Sequence, residues 1–273
     1  MLNGGITLGQ YFPGNSFIHK TDARMKIIIS MVFLVSVFFC KTDAAFISML
    51  VVTGALIVFS GISMKTILKS LKPLLFVICF TSVISIFWTK GEGDPLISWK
   101  FINIYLEGVR QAVFMVLRLV CIVSGSFVIL TYTTSPMDLT DAIERLLMPL
   151  KYLKVPVHDF AMMMTIALRF ITPLVEETDR IICAQKARGA DFETGKLTDR
   201  VKALVPILIP LFVSAFKRAE ELAKAMECRC YTGGEGRTRM KQLKFKLGDF
   251  VFFAAFVAVC ILALMANKIS FAL

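Results

Sequence analysis

Five apolar runs divide the chain, and the polar stretches between them set its plan. Ile27–Cys40 is continuously apolar but short for a bilayer span, which takes about 20 residues. It either crosses with snorkelling ends and local thinning or forms a buried core helix. Lys41-Thr42-Asp43 interrupts it, and 44–62 is a fuller span. A third run, 74–88, follows Pro73 and closes on Trp88, an indole of the kind that gathers at membrane interfaces. The fourth covers about 104–132 and carries Arg110 and Arg118; the fifth is 247–266.

The polar segments differ in sign and period. SMKTILKSLKP (63–73) is basic and amphipathic, whereas TKGEGDPLISWK (89–100) is Gly/Pro-containing with no positive bias. Between the fourth and fifth runs the period becomes helical. TTSPMD (133–138) offers Ser135 as N-cap, Pro136 at the first helical position and Asp138 three residues after the cap. Leu139, Ile143, Leu146, Leu147 and Leu150 then recur on one face, giving a short amphipathic helix suited to a membrane interface. A second helix is expected over 157–187, stopped by Gly189, with a kink at Pro173. A third is expected over about 200–231, apolar in its first half (203–216), charged in its second (217–227), and stopped by GGEG (233–236).

Composition agrees with this plan. The chain of 273 residues is 56% hydrophobic, above the usual 45–50% of soluble domains, and the excess lies in the runs. The net charge of +11 is read as topological, with Lys and Arg collected on the cytoplasmic side and facing anionic lipid. No basic, aromatic-bearing groove suggests nucleic acid. No cleavable signal pattern is expected, since no small-residue cleavage site follows the apolar run that Ile27 begins. The expected fold is all-α: a polytopic protein of the cell membrane, N-terminus cytoplasmic, with about five transmembrane helices and a cytoplasmic helical coupling region holding two long helices. Membrane helices occupy 1–132, the coupling region 133–246, and a C-terminal transmembrane helix 247–273.

Catalytic chemistry is thin. GADFETGKL (189–197) resembles a phosphate-binding loop but has five residues between its glycines and Leu197 where Ser or Thr must reach magnesium, so no nucleotide site is expected. His158-Asp159 reads as a helix-start polar pair, Cys228 and Cys230 have no second ligand pair, and no metal is expected. Arg118 is a costly charge inside an apolar run, serving a structural or partner-facing role.

Two arginines are more informative. Arg188 in AQKARGAD (184–191) and Arg229 in AKAMECRCY (223–231) end the two long helices, each with alanine four residues earlier. One such arginine simply suits the helix dipole. A pair, on helices too long for a compact domain, suggests plugs for acidic sockets, since the guanidinium fork fits carboxylates.

Across nearly its whole length the chain resembles the transmembrane T component of energy-coupling factor transporters, of the shared-module type, although the residues leave open whether the module is shared or dedicated. The resemblance is carried by HKTDARMKI (19–27), SLKPLLF (70–76), LTYTTSPMDLTDAIERLLMPLK (130–151), ALRFITPLVEETDRIICAQKARGADF (167–192) and PLFVSAFKRAEELAKAMECRCYTGGEGRT (210–238). The family's Ala-Arg-Gly pair is matched in full by Ala187-Arg188-Gly189. In Cys228-Arg229-Cys230 only the arginine is kept, and the family's Asp-Pro-Arg reads Asp22-Ala23-Arg24.

The resemblance implies a non-catalytic subunit that holds no cofactor. Two cytoplasmic ATPase subunits would bind ATP and receive the two arginines, and a membrane-embedded substrate-binding S component would carry the vitamin or metal ion. Met-rich AMMMT (161–165) and the apolar half of the third helix are candidate surfaces for that component. Two alternatives stand beside it: a conventional ABC permease with its own solute path, and a small membrane enzyme using His158, Asp159 and Arg169.

Overall fold

The computed structural model describes residues 11–12, 14, 16–40, 42–88, 97–99, 102–190, 197–233 and 245–269. Of the loop expected over 89–100, residues 89–96 and 100 lie outside them, as do 191–196 of the phosphate-loop-like stretch and 234–244; Ile97–Trp99 is instead a short strand. The helices are α1 (Phe17–Lys20), α2 (Ala23–Phe39), α3 (Asp43–Ser60), α4 (Met64–Leu71), α5 (Leu75–Trp88), α6 (Leu106–Ser126), α7 (Pro136–Leu147), α8 (Val157–Ala187), α9 (Leu197–Glu227) and α10 (Leu247–Ile269). Between α5 and α6, Ile97–Trp99 and Ile102–Ile104 pair as two short antiparallel strands. The chain forms two compact units: Gln10–Ala142 with Leu243–Leu273, and Ile143–Gln242.

The first unit is the membrane bundle. Asp43–Ser60, Met64–Trp88, Leu106–Tyr132 and Leu247–Asn267 are each long and apolar enough to cross a bilayer. α2 has 17 residues, about 25 Å of helix. It packs against α6 and α10, with Ile29, Phe33 and Val37 on one face shut away from solvent. α2 begins at Ala23, four residues before its apolar run, because the Asp22 carboxylate caps it by accepting the Arg24 N–H at 2.9 Å. The outside of the bundle is apolar: Trp88 is 85% exposed, Phe76 77% and Val58 76%. So wide an oily surface would drive association in water, and hydrocarbon is its solvent.

The bundle's two ends are tied differently. At one, the Thr42 N–H and hydroxyl both donate to Asn267 Oδ1, at 3.3 and 3.0 Å, while Asn267 Nδ2 donates to the Phe39 carbonyl at 2.9 Å. Arg110 meets Asp43 at 2.6 Å. At the other, the fourth run departs from the α-helix expected throughout, ending in a π-helix over Phe127–Tyr132. After it, Ser135 Oγ accepts the Asp138 N–H at 3.1 Å and donates to Asp138 Oδ2 at 2.8 Å, so Ser135 caps α7 as expected.

The second unit contains α8 and α9, both of 31 residues, or about 46 Å each. α8 spans the expected residues. α9 starts three residues earlier than expected and ends at Glu227, with its Pro206 and Pro210 in the early turns.

Candidate functional site

α8 and α9 lie side by side and run in opposite directions. Glu177 of α8 meets Arg218 of α9 at 2.6 Å, and the Tyr231 hydroxyl, just beyond α9, donates to Met162 Sδ at 3.0 Å. Residue numbers rise along one helix as they fall along the other. Along this seam Ile166, Phe170 and Leu174 face Ala219 and Ala223, between the two contacts, and Ala215, just beyond the bridge. Each set repeats every four residues, so large side chains on α8 stand over a small-residue stripe on α9. A groove of about 290 Å³ lies along the seam.

This pair builds little core. Among its described residues only Val157, Ala161 and Ile207 are buried, while Phe160, Met163, Leu208, Ile209, Phe212 and Phe216 are exposed. Helices of this length gain most of their stability from tertiary packing, so these faces call for lipid or a partner.

The two helix ends have the same backbone construction. In α8, Arg188 is the C-cap, Gly189 is left-handed at φ +86°, its N–H reaches the Lys186 carbonyl at 3.0 Å, and the Ala190 N–H reaches Gln185 at 3.0 Å. After α9, Arg229 occupies the corresponding place. Cys230 is left-handed at φ +52°, its N–H reaches Glu227 at 2.9 Å, and the Tyr231 N–H reaches Met226 at 3.0 Å. Both are Schellman closures with arginine immediately before the left-handed residue. Cys230 thus does the backbone work of Gly189, at the cost that a β-carbon carries in that region.

Ala187, Arg188, Gly189, Cys228, Arg229 and Cys230 are all exposed. Neither guanidinium has a hydrogen-bond or ion-pair partner among the described residues, although acidic side chains are plentiful on both helices. Counted along each helix, Arg188 follows Glu177 by eleven residues and Arg229 follows Arg218 by eleven. The two arginines therefore end arms of equal length, roughly 16 Å each, that leave the Glu177–Arg218 bridge in opposite directions.

The other residues singled out in the sequence lie apart from these ends. In the bundle, Arg118 Nη2 donates to the Cys40 carbonyl at 3.0 Å and its guanidinium lies 5.2 Å from the Phe46 ring centroid, while its Nε has no partner among the described residues. His158 Nδ1 lies 3.0 Å from Glu144 Oε1 at the start of α8. Among the described residues no group of three or more His, Cys, Asp or Glu is placed to hold a metal.

These features define a class: an all-α, multi-pass membrane protein that carries two long antiparallel helices with matched, open arginine ends. The family described as Cobalt transport protein, CbiQ, matches residues 14–240. The energy-coupling factor transporter transmembrane protein EcfT of Clostridium kluyveri is 52% identical over 257 residues, covering 94% of this chain and 95% of that protein. The protein of the same name from Ruminiclostridium cellulolyticum is 53% identical over 89% of this chain and 90% of its own length. That from Staphylococcus aureus is 41% identical over 96% and 97%. The chain belongs to this family of energy-coupling factor transporter transmembrane components, whose role in transport is non-catalytic.

Proposed function

We propose that the chain couples two cytoplasmic ATPase subunits to a membrane-embedded S component, with Arg188 and Arg229 each inserted into an acidic groove on one ATPase. The observation that carries this reading is the matched construction of the two helix ends. Both present an arginine with no partner among the described residues at a Schellman closure, at equal distances from one interhelical bridge. Two equivalent plugs suit two similar sockets. An arginine fork desolvated against carboxylates gives both affinity and orientation.

In this reading the ATPases bind and hydrolyse ATP, and this chain holds no cofactor. Their relative motion moves α8 against α9. The movement reorients the S component, which carries a vitamin or a metal ion and rests on the Met-rich and apolar faces around Met163, Met164 and Phe212. Methionine re-packs against varied surfaces and suits a moving contact. The N-terminus is cytoplasmic, as the distribution of Lys and Arg implies. The coupling region comprises 133–246, between membrane segments 1–132 and 247–273. Arg118 serves the bundle structurally, through the Cys40 carbonyl.

The test is uptake of radiolabelled vitamins and divalent transition-metal ions by cells expressing the whole complex. Arg188→Glu with Arg229→Glu should leave the chain inserted in the membrane and abolish uptake. Normal uptake by the double variant defeats the reading.

A further inference from the structure

A buried polar cluster in the membrane bundle is not used by the coupling reading above. Lys26, one residue ahead of the first apolar run, is 2% exposed. Its Nζ donates to the carbonyls of Thr133 at 2.8 Å and His19 at 3.3 Å. Burial pulls its pKa down to about 8, against the opposing pull of Asp138, Asp22 and Asp249. Beside it, Arg24 Nε and Nη2 donate to the two Asp22 oxygens at 3.1 and 2.7 Å, and its guanidinium stacks 3.8 Å from the centroid of Phe245. Asp249 accepts the Asp22 N–H at 3.4 Å and the Lys246 N–H at 3.0 Å.

The backbone positions held by this cluster set its meaning. Thr133 immediately follows the π-helix, and Phe12 N–H takes the preceding carbonyl, that of Tyr132, at 3.1 Å. The Tyr132 ring packs tilted against Phe12, with centroids 5.6 Å apart, and its hydroxyl is hydrogen-bonded to Ser70. A π-helical turn often marks a functional position. Thr133 lies ten residues before Ile143, where the chain passes into the 143–242 unit, and Phe245 lies shortly after its return. One cluster, built from the N-terminal segment, grips the chain at both crossings. A buried lysine carries a desolvation penalty that apolar residues of similar size would avoid while filling the space.

We propose that Lys26, together with the Arg24–Asp22–Asp249 group, is a positioning device for coupling: it pins the departure and return of the coupling segment to the bundle, so that movement of α8 and α9 reaches the membrane helices. The proposal rests on the coupling reading. Without the clamp, the π-turn absorbs the movement.

The test is hydrogen exchange on the purified complex with its ATPases, with and without ATP plus vanadate. The native complex should show a nucleotide-dependent change both in 157–231 and in 106–132. In Lys26→Met the change in 157–231 should persist while that in 106–132 shrinks about tenfold. Phe245→Ala alters an exposed side chain, spares the interior, and should act in the same direction. A full response in 106–132 for both variants overturns the proposal, as does loss of the ATPases from either. A native complex with no nucleotide-dependent change in 157–231 overturns the coupling reading itself.

Discussion

Glu177 and Arg218 meet at 2.6 Å across the seam of α8 and α9, and each stands eleven residues before the arginine that ends its own helix. Their side chains are about a third exposed, so the ion pair contributes at most about 1 kcal/mol to stability. Its value lies in register: it fixes the point from which the two arms extend.

Reversing one partner, Arg218→Glu, should weaken ATP-driven uptake several-fold by setting like charges together, with a loss of stability of no more than about 1 kcal/mol. The exchange Glu177→Arg with Arg218→Glu restores opposite charges and should recover most of the uptake. Uptake by the exchanged pair no better than by Arg218→Glu alone would show that the bridge does not set the register.

Cys230 occupies a left-handed position in which glycine carries no penalty. Cys230→Gly should firm the second helix end by about 1 kcal/mol, slowing hydrogen exchange of the Cys230 and Tyr231 amides about fivefold. The converse change at the other end, Gly189→Ala, should loosen it by a similar amount. Space is not the cause there, since nothing lies within 4 Å of an added β-carbon. Faster exchange in Cys230→Gly would mean that the cysteine side chain stabilises the closure.

Gly125 lies in α6 one residue before the last α-helical position and packs directly on Phe33 of α2. A β-carbon there would sit 2.3 Å from Phe33 Cε1, and Phe33 has no exposed surface toward which to move. Gly125→Ala should therefore cost about 1–3 kcal/mol, seen as a lowered Tm in detergent. Phe33→Leu introduced with it should recover part of the loss. An unchanged Tm for Gly125→Ala would mean that α2 and α6 separate more easily than their packing implies.

Much of this was legible in the residues. Pro156 and Gly189 bracket α8, and Ser135 with Asp138 announces the start of α7, because caps and breakers act locally and leave a local signature. The two arginines were visible for the same reason. The equivalence of Cys230 to Gly189 was not, because cysteine does not advertise a left-handed turn; the signal available was position, each residue standing directly after its arginine. α2 starts ahead of its apolar run because Asp22 caps it, a sign present in Asp22-Ala23-Arg24 but masked by the charges that follow. The Lys26 cluster draws on residues near 12, 22, 133 and 245, and no spacing within the chain brings these together. The π-helix over Phe127–Tyr132 has no residue signature at all: its sequence is as apolar as the helix it extends.

The central claim is that the two arginine ends hold two ATPases. Native mass measurement of the purified complex tests it most directly, by counting the ATPase subunits retained with the native chain and with Arg188→Glu plus Arg229→Glu. The native chain should retain both ATPases, and the double variant, still inserted and folded, should retain neither. A double variant that keeps both would contradict the account.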